Sequence, residues 1–262
     1  MAGAAASVPE VSPRRRALVA ALAAALALVA VFVGSRLLGS AEPGEPTDQA
    51  VAGPVLLVPG YGGGTAGLEV LAQSLREAGR TATVVPVPGD GTGDLALSVA
   101  ALDAAAAATG PGPVDVVGYS AGGVVARLWA AQDPASVRRV VTLGSPHHGT
   151  RVAALGAAVA PEACPVACRQ LIPDSPLLSE LNDDDETPDG PQWLALWTAQ
   201  DQVVTPPDSA RLEGAVNVEL QQLCPGIAVS HGQLPVDPTV TAIVVDALSG
   251  PEISAPGDAV CA

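Results

Sequence analysis

Lysine is absent from this 262-residue chain: all twelve basic residues are arginine, set against 27 acidic ones for a formal net charge of −15. A phosphate-cradling loop of the Walker type needs its lysine, so no glycine-rich loop of this chain is read that way. A chain so acidic is also a poor partner for nucleic acid. Aromatic residues make up only 2%, which leaves Ala, Val and Leu to build the core. The apolar share of 48% is ample for one domain of moderate size plus a leader. Histidine is scarce too, and any imidazole base must be His147, His148 or His231. No EF-hand spacing surrounds the acidic run Asp183-Asp184-Asp185-Glu186, which reads as a solvated loop. Asp90 and Asp94, around Gly91-Thr92-Gly93, read as a turn before a helix.

The N-terminus is a device of its own. Arg14-Arg15-Arg16 precedes an uncharged run, Ala17 to Ser35, dominated by Ala, Leu and Val. With apolar residues on every face and a basic cluster upstream, a core helix is the weakest reading. Nineteen helical residues span about 28 Å, close to a bilayer's hydrocarbon thickness. That length favours an uncleaved signal-anchor with residues 1–16 cytoplasmic and the rest extracytoplasmic. Gly39-Ser40-Ala41 offers small residues that a signal peptidase accepts, so a cleaved leader and a secreted protein stay open. The paired arginines also permit a twin-arginine route. Residues 36–52, rich in Pro, Gly and acid, read as a linker.

Four cysteines agree with an oxidising compartment. Three pairings are open, and a zinc site competes with them, although no histidine lies near either pair in sequence. The favoured pairing joins Cys164 to Cys168, which are locally constrained, and Cys224 to Cys261, which pins an otherwise loose tail.

Alternation organises the remainder, 53–262. Strands are expected at 55–58, 82–87, 114–118, 138–143, 193–199 and 216–220, with helices at 68–78, 95–108, 121–131 and 238–248. This is an α/β pattern: a mainly parallel sheet of about six strands with helices on both faces, whose ligands bind at the carboxyl ends of strands. Three motifs fall there. Gly118-Tyr119-Ser120-Ala121-Gly122 reads G-x-S-x-G between a strand and a helix, which marks Ser120 as a candidate nucleophile; a glycine-rich turn with a serine cap is the competing reading. Val58-Pro59-Gly60-Tyr61-Gly62-Gly63-Gly64 carries a strand into a glycine-rich loop. Gly144-Ser145-Pro146-His147-His148-Gly149-Thr150 ends a third strand and reads as a loop bordering a cleft. Asp201 follows the apolar run 193–199, and His231 lies in a loop after Cys224, which gives the chain order Ser, Asp, His. His147 or His148 as the base would reverse that order. Residues 146–192 depart from the alternation and read as a cap or substrate-lining segment.

These motifs, together with Val203-Val204 after Asp201, resemble the serine lipases and esterases of the α/β-hydrolase family, most closely small bacterial triacylglycerol lipases of the class 2 type. The resemblance spans roughly Gly53 to Leu248. It implies a compact α/β-hydrolase fold and a catalytic set of Ser120, Asp201 and His231. It also implies an oxyanion hole formed by the backbone N–H groups of Tyr61 and Ala121, with no cofactor and no metal. Many relatives carry His-Gly where this chain has Pro59-Gly60, so no side-chain role passes to that position. The expected activity is hydrolysis of acyl or lipid esters by a monomer. Acyl transfer on the same residues, and an exported scaffold that binds a ligand or partner without turnover, are the alternatives. Because 146–192 holds prolines, a local disulfide and no long amphipathic helix with bulky apolar residues, the acyl groove is expected to be open in water. Small Ala and Val side chains and Tyr61 or Tyr119 should line it.

Overall fold

Short β-branched runs and Ala/Leu-rich stretches alternate along the chain, and the computed structural model, which describes residues 49, 51–183 and 185–261, shows where each goes. Six strands form one sheet: β1 (Val55–Val58), β2 (Ala82–Val84), β3 (Val114–Tyr119), β4 (Val137–Leu143), β5 (Gln192–Trp197) and β6 (Val216–Glu219). Their order is β2-β1-β3-β4-β5-β6, and every neighbouring pair is parallel. The order reverses direction after β2, so β1 and β3 are neighbours at the switch point, and a crevice opens beyond their carboxyl ends.

β1 is buried along its whole length, as expected of a parallel strand covered on both faces. Its alternate residues feed two cores. Leu56 and Val58 join Val116, Val140 and Ala195 against α2 (Leu95–Ala108) and α3 (Ala121–Gln132). Val55 and Leu57 join Val117, Val141 and Leu194 against α1 (Ala66–Glu77) and the C-terminal helix of the domain, Pro238–Ser249. α1 turns Leu68, Leu71, Ala72 and Leu75 inward at helical spacing. Each such Leu or Val contributes roughly 1.5–3 kcal/mol of burial.

Several helix starts are legible in side-chain chemistry. Asp94 caps α2 by accepting from the Ala96 N–H, and Asp237 accepts from Thr239 and Val240 with Pro238 in the first turn. Differences from the expected boundaries have local causes. β2 stops at Val84 rather than 87: the Val85 N–H still donates to the Leu57 carbonyl at 2.8 Å, but Pro59, the next residue of the β1 row that faces β2, has no N–H to continue the ladder. β5 ends at Trp197, two residues early, because the Asp201 N–H bonds back to the Thr198 carbonyl in a turn. Leu220, expected in the last strand, begins a four-residue helix.

The segment 146–192 is helical where no regular structure was expected. It forms α4 (Arg151–Val159), α5 (Val166–Gln170) and α6 (Pro176–Asn182), packed on the α2–α3 side. The four-residue helix Leu220–Leu223 is α7 and Pro238–Ser249 is α8. Cys164 is joined to Cys168 and Cys224 to Cys261. Arg14–Arg16, the run 17–35 and most of the linker lie outside the described residues. Among the described residues, no helix is long and apolar enough to cross a membrane.

Candidate active site

β3 runs into α3 with a single residue between them, and that residue is Ser120. Its backbone sits at φ 55°, ψ −125°, a conformation costing of order 1–3 kcal/mol for a non-glycine residue and held only where surrounding packing enforces it. The enforcement is visible in the flanking glycines. A Cβ on Gly118 would collide with the backbone of Gly123, and one on Gly122 with the carbonyls of Val58 and Pro59. The Ser120 N–H donates to the Leu143 carbonyl at 2.9 Å, which ties the turn to β4.

His231 arrives from the far side of the sheet. Its Nε2 lies 3.1 Å from Ser120 Oγ, and its Nδ1 lies 2.6 Å from Asp201 Oδ2. Asp201 is itself fixed, because Oδ1 accepts from the N–H groups of Val203 and Val204, both at 2.8 Å. All three residues are more than nine-tenths buried. The carboxylate therefore places the imidazole proton on Nδ1, leaving Nε2 as the acceptor facing the serine hydroxyl. Gly144 fits this junction at φ 56°, since a Cβ there would press on Asp201 Oδ2 and His231 Nδ1.

The loop carrying His231 is braced by residues outside the motifs. Ser230 and Gln233 form a capping box around it, a pattern already present as S-x-x-Q in the sequence. Thr198 Oγ1 donates to the Val229 carbonyl at 2.6 Å. Tyr119 lies under the imidazole with ring centroids 5.1 Å apart, and its hydroxyl donates to the His231 carbonyl at 3.3 Å. Burial and the nearby Asp201 charge push the Tyr119 phenol up to about 12, so it stays a donor. Tyr119 was one of two tyrosines expected at the acyl groove, but it supports His231 instead. Tyr61, at the mouth and 45% exposed, is the one that lines the groove.

The other two histidines take different partners. His147 is fully buried with Nε2 3.1 Å from Thr142 Oγ1, and burial, with lesser contributions from Arg127 and His148, holds its pKa well below the ordinary value. His148 places Nε2 2.6 Å from Glu186 Oε1 and Nδ1 3.3 Å from the Ser209 carbonyl. Glu186 is thereby drawn out of the solvated loop expected for it. Its other oxygen accepts from the Glu213 N–H at 2.7 Å, and its carbonyl from Arg127 Nε.

Beside Ser120 opens a cavity of about 170 Å³. Tyr61, Pro146, Val152, Ala153, Leu171 and Val203 are among the residues that line it. The loop after β1 closes the opposite flank, where a Cβ on Gly60 would touch Ser120 Cβ. Ala121 is the first residue of α3, a position whose N–H has no intrahelical acceptor.

Residues 53–163 match the family model described as alpha/beta hydrolase fold. Among solved structures, the chain is similar to Aspergillus fumigatus lipase B at 20% identity and a TM-score of 0.68, over 83% of this chain and 58% of that one. It is similar to the mature form of Bacillus licheniformis lipase BlEst2 at 21% identity and a TM-score of 0.53, over 68% of this chain and 86% of that one. Paleococcus ferrophilus monoacylglycerol lipase matches at 16% identity and a TM-score of 0.55, over 75% and 95% respectively. The chain thus spans less than two thirds of the Aspergillus protein. No curated protein matches it by sequence. With its six-stranded parallel sheet and flanking helices, this chain has the α/β-hydrolase fold.

Proposed function

We propose that this chain is a serine esterase that hydrolyses carboxylic esters through an acyl-enzyme on Ser120. The observation that carries this reading is the relay from Asp201 Oδ2 through His231 to Ser120 Oγ, at 2.6 and 3.1 Å. His231 Nε2 accepts the hydroxyl proton as Ser120 Oγ attacks the ester carbonyl, and Asp201 stabilises the imidazolium that results. Negative charge moves to the carbonyl oxygen, where the N–H groups of Tyr61 and Ala121 are proposed to receive it. One such donor is worth about 3–4 kcal/mol in the transition state. The imidazolium returns its proton to the departing alcohol, and the acyl group stays on Ser120. A water molecule then repeats the sequence, with His231 again taking the proton, and releases the acid.

The apolar cavity beside Ser120 supports an acyl group as the bound portion, and the lipases among the similar structures support esters of lipid character. The two disulfides support an oxidising, extracytoplasmic location. The chain is proposed to act as a monomer. Release of p-nitrophenol from a graded series of acyl esters by the purified protein tests the proposal. Turnover that disappears in Ser120→Ala is expected; equal rates for Ser120→Ala and wild type would overturn it.

A further inference from the structure

We infer that a fixed wall of Cys168 and Leu171 closes the acyl cavity after a few carbons, making Leu171 a specificity-determining residue and short-chain acyl esters the substrate class. This inference rests on the ester-hydrolase reading above. Three observations lead to it.

The cavity is small. Its volume of about 170 Å³ falls below the roughly 300–1,000 Å³ of sites that enclose a whole drug-sized ligand. At roughly 30 Å³ for a water-sized group, about five to six methylene-sized groups fill it.

The cavity also favours hydrocarbon. No charged side chain lines it. Thr150, the one polar side chain in the lining besides Ser120 and the solvent-facing Tyr61, is fully engaged. Its Oγ1 donates to the Val203 carbonyl at 2.7 Å and accepts from the N–H groups of Thr205 and Val152 at 3.0 and 3.3 Å. An acyl group carrying a hydroxyl or a charge would find no partner and would incur its desolvation cost.

The wall is held from several directions. α5 has five residues, too few to persist by itself. The Cys164–Cys168 bridge locks it, with Cα atoms 5.2 Å apart. The Ala167 N–H donates to the Thr92 carbonyl at 3.1 Å, and Gln170 Oε1 accepts from the Leu95 N–H at 3.0 Å, which joins α5 to the start of α2. The Leu171 carbonyl accepts from the Thr150 N–H at 2.9 Å, and the Leu171 side chain is 95% buried. A longer acyl chain cannot push this wall back without breaking those contacts; it must leave the cavity across Val152, at the half-exposed rim.

The test is kcat/KM for p-nitrophenyl acetate, butyrate, hexanoate and octanoate, measured with the full chain. In wild type, kcat/KM is expected to rise from acetate to hexanoate, whose tail fills the cavity, and to fall by about tenfold at octanoate, whose last carbons have no room behind the wall. Leu171→Ala is expected to raise the octanoate-to-hexanoate ratio about tenfold. Ala153→Leu adds volume at the same cavity and keeps the inference falsifiable if Leu171→Ala does not fold. It is expected to lower the hexanoate-to-acetate ratio about tenfold. Ratios unmoved in whichever variants fold overturn the wall. Absence of turnover on every ester by wild type overturns the esterase reading instead, so the two failures are distinguishable.

Discussion

Each of the three imidazoles is specialised by what its two nitrogens face. His231 faces a hydroxyl and a buried carboxylate, His148 a carboxylate and a backbone carbonyl, and His147 a threonine hydroxyl. Only the first pair of partners suits a proton shuttle to a nucleophile. Ser120→Ala and His231→Ala are therefore expected to lower kcat by about 10⁴–10⁶-fold with the fold intact. Asp201→Asn is expected to cost about 10⁴-fold by favouring the wrong tautomer. His147→Ala and His148→Ala should retain far more, as steady-state kinetics on folded variants will measure. A His148→Ala loss equal to that of His231→Ala would reassign the base. Ser120 was legible because its motif is local, and His231 because so few histidines exist. Asp201 needed the resemblance of the residues behind it, since a turn aspartate looks the same in sequence. The support from Tyr119 was not legible. It depends on a partner 112 residues away that reaches it only in three dimensions.

At the level of elements, strand and helix positions could be read wherever the apolar period was clean, which is why α2 begins and ends where the sequence places it. The helices of 146–192 could not. They are five to nine residues long and set in Ala- and Pro-rich sequence, and they are stabilised by distant anchors such as Gln170 on the start of α2 and Arg127 on the end of α6. α4 is the piece closest to a lid. It has nine residues and leaves Val152, Leu155 and Val159 exposed while Ala153 packs inward. A helix this short covers little apolar surface. Hydrolysis of tributyrin below its solubility limit is therefore expected, with no marked jump as that limit is crossed. A sharp rise there, with negligible activity below it, would contradict an open groove.

The His148–Glu186 contact joins the loop after β4 to the segment before β5, and its stability has a definite pH window. Both partners of His148 are acceptors, so the doubly protonated ring satisfies both. The hydrogen bond to Glu186, outweighing burial, raises its pKa above the ordinary 6.5. Burial alone would raise the Glu186 pKa, but the bonds from His148 and Glu213 bring it below 4.5. The His148 contribution is complete below pH 6.5 and is lost as the pH rises through the raised value. The Glu186 contribution is complete above pH 4.5 and is lost as the pH falls through the lowered one. The drop in melting temperature caused by His148→Ala is thus expected to be largest between pH 4.5 and 6.5 and to shrink on the alkaline side. A drop independent of pH would assign His148 a packing role alone.

Across the whole molecule, a chain with an excess of acid uses a buried cluster of its few arginines to secure the sheet. Asp115 is fully buried and accepts from Arg80 and from both Nε and Nη2 of Arg138. The same two guanidinium groups reach the Leu248 carbonyl, and Arg139 reaches that of Ala247. The amino ends of β3 and β4 are thereby tied to the last turn of α8, where positive charge also complements the helix dipole. In sequence, Arg138-Arg139 inside a strand gave no sign of this, because their partners lie in α8 and β3. Asp115→Ala leaves those charges uncompensated and is expected to lower unfolding free energy by about 3–5 kcal/mol, measured by denaturant titration. A loss below about 1 kcal/mol would place the cluster among surface ion pairs. The cluster lies at the sheet edge opposite the one that carries Ser120, so the same variant should leave kcat nearly unchanged while the protein is folded.

The central claim is that Ser120 is a nucleophile activated by His231, and intact-mass analysis after brief exposure to a fluorophosphonate tests it most directly. One adduct per chain is expected, mapped by peptide sequencing to Ser120, absent from Ser120→Ala, greatly slowed in His231→Ala, and accompanied by matching loss of ester hydrolysis. Folded protein that stays unlabelled, or that is labelled elsewhere while hydrolysis continues, would contradict the account.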